Sequence, residues 1–396
     1  MIKNHFNIPT IEDAKIENKR VLLRADFDVS LTKTHSIADD TRIKKSIPTI
    51  EYLLKNKNKL IIISKLNRPK ERDNAHSLKH IIPDLEKYLP HYHVKLIDDF
   101  RKENPETFSS QKEEEILLLE NIRFYPEEET NDKQFAKELA SLADVFVMDA
   151  FAMAHRKETS VVGIPKFLPS YAGLLLEDEI QSISHVIHDP KQPIVSIVGG
   201  AKIPDKLEFL SKLIIMSDFL LVGGGIANTM LYAKGLEIGK SICEKSEYHH
   251  VQALFELAKK HKTEIVLPRD VSGIEEGHTK EIILRVDEVP SNFLIYDIGP
   301  ETEGTWGHII AEANTIIWNG PVGYFERPPF QRGTDFVYYS IAHNDHAFSL
   351  LGGGDTLSAI SKEEYLDKIS HISTGGGAML EFIENGTLPG IEALEK

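Results

Sequence analysis

Five short apolar runs in the second half of this 396-residue chain end directly in glycine. They are Val195–Val198 before Gly199-Gly200-Ala201-Lys202, Phe219–Val222 before Gly223-Gly224-Gly225, Ile316–Trp318 before Asn319-Gly320-Pro321, Phe348–Leu351 before Gly352-Gly353-Gly354-Asp355, and Ile372–Thr374 before Gly375-Gly376-Gly377. Runs this short and apolar suit strands buried on both faces, as in a parallel sheet. Five glycine turns converging on one edge of such a sheet make a cradle of bare backbone N–H groups and helix N-termini, a device for holding phosphate. The pattern predicts an α/β fold with a nucleotide site.

The first half repeats the strand–helix rhythm, with expected strands at Val21–Leu23, Leu60–Ile63, Val94–Ile97, Ile116–Leu119 and Val145–Val147 and a helix over Lys133–Leu142. Its strand ends carry charge instead of glycine: Arg24, Asp26 and Asp28, then Lys65 and Arg68, then Arg123, then Asp149, His155 and Arg156, with Arg42 at a helix start. Ligands of open α/β sheets bind outside the carboxyl ends of the strands. Arg42, Lys65, Arg68, Arg123 and Arg156 are therefore expected to line one edge, where guanidinium forks suit phosphate and carboxylate. His155 reads as a strand-end histidine, and the acidic runs Glu113–Glu115 and Glu127–Glu129 as solvated faces. A junction is expected near Pro169–Glu179, with Leu174–Ile187 a helix joining two halves whose crevices, one basic and one glycine-rich, face each other.

Composition narrows the function. Against 46 Lys+Arg stand 61 Asp+Glu, a net charge of −15, which disfavours non-specific nucleic-acid binding. The single cysteine, Cys243, excludes an intramolecular disulfide and fits a reducing compartment. The first ten residues lack the apolar core of a secretion signal, and no apolar stretch approaches membrane-spanning length. A P-loop and a dinucleotide fingerprint are both missing, which weakens the reading as a nicotinamide-dependent oxidoreductase. Lys202 and Lys206, four apart on one face at an expected helix start, oppose the helix dipole and suit a bound polyanion. Asp355, beside a glycine turn, is a candidate Mg2+ partner. Glu326, a lone glutamate that carries little signal by itself, could accept from ribose hydroxyls.

Taken in order, Arg24-Ala-Asp-Phe-Asp-Val, Asp40-Thr-Arg-Ile, Leu119-Glu-Asn-Ile-Arg-Phe, Asp149-Ala-Phe-Ala-Met-Ala-His-Arg, Gly199-Gly-Ala-Lys-Ile-Pro-Asp-Lys, Trp318-Asn-Gly-Pro-Val-Gly-Tyr-Phe-Glu, Gly352-Gly-Gly-Asp-Thr and Ser373-Thr-Gly-Gly-Gly-Ala closely resemble the motifs of the phosphoglycerate kinase family over essentially the whole chain. The resemblance implies two Rossmann-like three-layer lobes with mostly parallel sheets joined by a hinge helix. Residues 1–170 would form an N-terminal 3-phosphoglycerate lobe with 386–396 packed back on it, and 171–385 a C-terminal nucleotide lobe. It implies reversible phosphoryl transfer between 1,3-bisphosphoglycerate and ADP, giving 3-phosphoglycerate and ATP, by a cytoplasmic monomer that needs Mg2+. Acceptor-binding positions are then Asp26, Asp28, Arg42, Lys65, Arg68, Arg123 and Arg156. Nucleotide positions are Gly200, Ala201, Lys202, Lys206, Gly223, Gly224, Asn319, Pro321, Glu326, Gly352, Gly353, Gly354, Asp355 and Thr356, with Asp355 on the metal. Arg42, Lys202, Gly376 and Gly377 serve the transfer itself.

The chain departs from the family pattern in the acceptor half. Asp28 replaces asparagine, Ser30 proline, Lys65 histidine, Asn67 glycine, and Ala152-Met153 Gly-Thr. Lys65 is expected either to neutralise Asp28 or to reach the substrate across it. The alternative function is a catalytically weak relative that binds nucleotide as a partner protein.

Overall fold

A computed structural model describes residues 6–360 and 363–395. Met1–His5 and Lys396, the ends of the expected first lobe and of its returning tail, lie outside the described residues. Two compact units emerge, one running through Gln181 and resuming at Thr387, the other Ser182–Gly386.

The first unit holds six strands: β1 (Arg20–Arg24), β2 (Lys59–Ile63), β3 (His93–Ile97), β4 (Glu115–Leu119), β5 (Val145–Met148) and β6 (Ser170–Ala172). They form one sheet in the order β3-β4-β2-β1-β5-β6, with every pair parallel. Val21, Leu23, Leu60, Ile62, Leu118 and Val147 share one core, and Leu22, Ile61 and Phe146, their neighbours along the strands, are also fully buried. Burial on both faces explains the missing alternation. Each such side chain is worth roughly 1.5–3 kcal/mol on burial, so register, and with it the position of every strand end, is firmly set. The tail contributes Ile391 to the core, and Gly390 N donates to Ala154 O at 2.7 Å.

The expected joining helix is Leu174–His188. Its first turn is capped by Asp149, which accepts from Leu175 N at 3.0 Å and Leu176 N at 3.3 Å.

In the second unit β7 (Ile194–Val198), β8 (Phe219–Val222), β9 (Glu264–Val266), β13 (Thr315–Asn319), β14 (Phe348–Gly352) and β15 (His371–Ser373) form a parallel sheet ordered β15-β14-β13-β7-β8-β9. All five glycine-terminated runs are therefore neighbours in one sheet and end at one edge. The intervening β10 (Asp270–Glu275), β11 (Ile282–Arg285) and β12 (Phe293–Ile298) make a separate antiparallel sheet that lies outside the five expected runs. Among the described residues no helix is long and apolar enough to cross a membrane.

Candidate functional site

In the first unit the carboxyl ends of the strands are tied to one another before any ligand is considered. Ser64 Oγ, at the end of β2, accepts from Phe27 N at 2.9 Å and donates to Ala25 O at 3.0 Å, locking the β1 exit to the β2 exit. After β4, the buried Asn121 amide donates to Leu66 O and His76 O, both at 2.8 Å, and its oxygen caps the turn at Arg123 N. These bonds fix the loops of Arg68 and Arg123, which together with Arg156 line one cavity of about 280 Å³. Arg42 and Lys65, expected on the same edge, are not among the residues that line it and are each held by a carboxylate. Arg42 Nη1 donates to the buried Asp26 at 2.5 Å, and the Lys65 ammonium pairs with Asp28.

The cavity is not purely basic. Arg123, whose side chain is 7% exposed, forms ion pairs with both Glu129 and Glu158, and all three line the space. The acidic run 127–129 is thus no solvated face. Glu128 is fully buried, accepts from Ser160 N at 2.9 Å and bonds the Ser160 hydroxyl, while Glu127 pairs with Arg101 at 2.9 Å. Burial pushes the Glu128 carboxyl up to about 7 despite the opposing pull of Arg24. Arg24 itself turns inward, donating to Ser160 Oγ at 2.9 Å and Ala25 O at 2.6 Å. His155 is driven down to about 4 by burial and by the Arg156 charge, so it stays neutral at physiological pH.

In the second unit the glycines do two different jobs. At the first three turns backbone packs on backbone. Gly199 N donates to Asn319 O, Gly200 N to Pro321 O, Gly223 N to Val198 O and Gly224 N to Val322 O, at 2.9–3.0 Å. A Cβ on Gly225 would stand 2.6 Å from Ala201 O, so only glycine permits this approach. The expected bare N–H groups at Gly199, Gly200, Gly223 and Gly224 are therefore already bonded, because a close-packed loop must satisfy its own donors. Around Gly354, Gly376 and Gly377 a Cβ would meet nothing within 4 Å, so these last two turns are the open ones. Gly376 caps the helix Gly377–Asn385 at φ +52°, a conformation that favours glycine.

Lys202 and Lys206 do not share a helix face, as the helix begins only at Leu207. Lys202 is exposed in the preceding loop, whereas Lys206 folds back to donate to Gly199 O at 2.9 Å and Asn319 Oδ1 at 2.8 Å. Burial pushes the Lys206 ammonium down to about 8, with Asp355 pulling weakly the other way. Asn319 donates to Gly352 O at 2.8 Å. Thr356, fully buried, accepts from Gly320 N at 2.7 Å and donates to Gly352 O at 2.8 Å. Lys206, Asn319 and Thr356 thus brace the loops from within. Gly200, Ala201, Gly224, Pro321, Glu326 and Asp355 line a mostly apolar cavity of about 550 Å³.

The antiparallel sheet supplies another part of that cavity's wall through Val271, Leu294 and Tyr296. Sequence reasoning missed these residues. Their signal is the β-type run Phe293–Tyr296, which Asp297 interrupts before Ile298 and Gly299. Among the described residues no three His, Cys, Asp or Glu side chains are grouped to hold a metal ion. Asp355, exposed beside the open Gly354 turn, offers one carboxylate, a donor set that fits Mg2+ when phosphate oxygens complete its shell.

A profile of the phosphoglycerate kinase family matches residues 11–386. The phosphoglycerate kinase of Moorella thermoacetica is 42% identical over 388 residues, 97% of this chain and 98% of that protein. That of Wolbachia pipientis wMel is 43% identical over 397 residues, 99% of each. Among solved structures, the phosphoglycerate kinase of Coxiella burnetii superposes with a TM-score of 0.89 at 38% identity, covering 98% of both chains. The phosphoglycerate kinase of Pyrococcus horikoshii OT3 gives 0.85 at 32% identity over the same shares. On the strength of these matches and of the two sites just described, the chain belongs to the phosphoglycerate kinase family.

Proposed function

We propose that this chain transfers a phosphoryl group reversibly between the acyl phosphate of 1,3-bisphosphoglycerate and ADP, giving 3-phosphoglycerate and ATP. Family membership makes it a phosphotransferase that uses adenine nucleotide. The observation that carries the acceptor assignment is the cavity where Arg68, Arg123 and Arg156 arrive from the ends of three different strands. Three guanidinium groups suit a phosphorylated carboxylic acid.

In the ATP-consuming direction an oxygen of the acceptor carboxylate attacks the γ-phosphorus, and the bond to the ADP oxygen breaks with its electron pair leaving on ADP. The carboxylate is already ionised at neutral pH, so no general base is needed. The chain's task is placement and charge neutralisation. Arg42, aimed by the buried Asp26, offsets charge at the acceptor carboxylate. Exposed Lys202 and the helix N-terminus at Gly376 and Gly377 offset charge on the moving group. The 550 Å³ cavity takes the nucleoside, with Glu326 at its rim for the ribose. Asp355 would hold Mg2+, which when bound would neutralise charge on the nucleotide phosphates. A monomeric working unit and a cytoplasmic setting belong to the same proposal.

A coupled assay with 3-phosphoglycerate and MgATP tests it. Sustained turnover that depends on both substrates is expected. Nucleotide binding without turnover would replace this reading with that of a silent relative.

A further inference from the structure

The departures at positions 28, 65 and 67 meet at one point. Lys65 is 5% exposed, and its ammonium is spent on Asp28 Oδ2. The other carboxylate oxygen of Asp28 accepts from Asn67 N at 2.7 Å. One carboxylate therefore grips the β2 exit loop at both Lys65 and Asn67. Asn67 adopts φ +57°, the left-handed region in which asparagine is among the few tolerated non-glycine residues. The next residue is Arg68, on the rim of the arginine cavity. On the other side, Asp28 N donates to Asp26 Oδ1 at 3.3 Å, and Asp26 Oδ2 receives Arg42. An unbroken polar chain thus runs from Arg42 through Asp26 and Asp28 to the backbone that carries Arg68.

We propose that Asp28 and Lys65 are positioning residues, a clamp that fixes Arg68 relative to Arg42 and so matches the spacing of these two groups to the phosphate and carboxylate ends of the acceptor. The inference rests on the acceptor reading given above. A buried ammonium already paired with a carboxylate adds no net charge to the site. It keeps Asp28 from repelling the anionic acceptor, and removing it leaves that carboxylate partly buried and uncompensated. Asp28 replaced by Asn with Lys65 also neutralised loses the ion pair but retains an oxygen for Asn67 N–H.

A double-mutant cycle separates this role from direct contact between Lys65 and substrate. Wild-type turnover of 3-phosphoglycerate is measured first, and its absence overturns the functional reading itself. Given turnover, Lys65→Met is expected to raise KM for 3-phosphoglycerate about tenfold (~1.4 kcal/mol) while kcat and KM for MgATP stay within about twofold. The double variant Asp28→Asn/Lys65→Met should recover much of that loss, a non-additive result. Additive losses, or a double variant worse than Lys65→Met, would show a direct contact and overturn the clamp. A second pair of variants leaves both charges in place. Asn67→Ala, strained at positive φ, should raise KM for 3-phosphoglycerate, and Asn67→Gly should not. Equal behaviour of these two would also overturn the proposal.

Discussion

The Lys206 ammonium donates to Asn319 Oδ1 at 2.8 Å, joining the loop after β7 to the end of β13. A lysine whose place in the sequence suits a bound polyanion serves first as a brace. With its proton held only to about 8, the brace and its charge weaken together as the solution becomes alkaline. KM for nucleotide should rise between about pH 7 and about pH 9 in the native chain, because the lysine titrates within that window. In Lys206→Met it should be high and flat across the same range. A native profile as flat as the variant's would remove Lys206 from nucleotide binding.

Asp355 bears on the metal. Calorimetric titration of the full chain with ADP, with and without Mg2+, should show tighter binding with the metal. Asp355→Ala should lose that difference while keeping the metal-free affinity. If the variant retains the full Mg2+ effect, the carboxylate does not hold the ion.

Glu129 pairs with Arg123 through a side chain that is 64% exposed. On the proposed acceptor reading, a phosphate bound at Arg123 competes with it. Glu129→Gln should therefore lower KM for 3-phosphoglycerate, by up to about fivefold, matching the ~1 kcal/mol upper range of an exposed ion pair. Steady-state kinetics that show an unchanged or raised KM would mean that Glu129 organises Arg123 and does not compete for it.

Three buried acids predict how stability responds to pH. Burial raises Glu128 to about 7, Asp149 to about 7 and Asp297 to about 8, from unfolded values of 4.5 for Glu and 3.8 for Asp. Each holds its proton more tightly folded than unfolded. The stability they contribute is complete below the unfolded values and is lost as pH rises through 7 to 8. Melting temperature should fall from about pH 5 to about pH 8, and Asp297→Asn should flatten the upper part of that fall. A melting curve rising over this interval would contradict the assignment.

Much of the scaffold is legible in the sequence because strand burial and glycine turns are local signals. The five second-half strands and their shared edge follow from composition within a few residues. What stays hidden depends on distant partners. Nothing near Gly200 announces that its N–H is taken by Pro321, or that Arg123 meets Glu158, 35 residues on. The run Glu127–Glu129 looks solvated because only tertiary packing reveals Glu128 against Ser160. The antiparallel sheet is not announced locally because its strands carry Asp270, Glu275, Arg285 and Asp297 and so are not uninterrupted apolar runs. The Asp28–Lys65 contact was open to expectation only because two unusual residues of opposite charge stand at adjacent strand ends.

On the function proposed here the chain phosphorylates a carboxylate, with Arg42 and Lys202 stabilising the transfer. Hydroxylamine trapping tests it most directly, since it converts an acyl phosphate to a hydroxamate. Incubation with 3-phosphoglycerate, MgATP and hydroxylamine should yield hydroxamate in step with ADP. Arg42→Met and Lys202→Met should each lower kcat by about 10²–10³, the scale of losing one preorganised stabilising group, with KM changed far less. ADP released without hydroxamate would exclude a carboxylate acceptor, and variants that raise KM alone with kcat intact would make Arg42 and Lys202 simple binding groups.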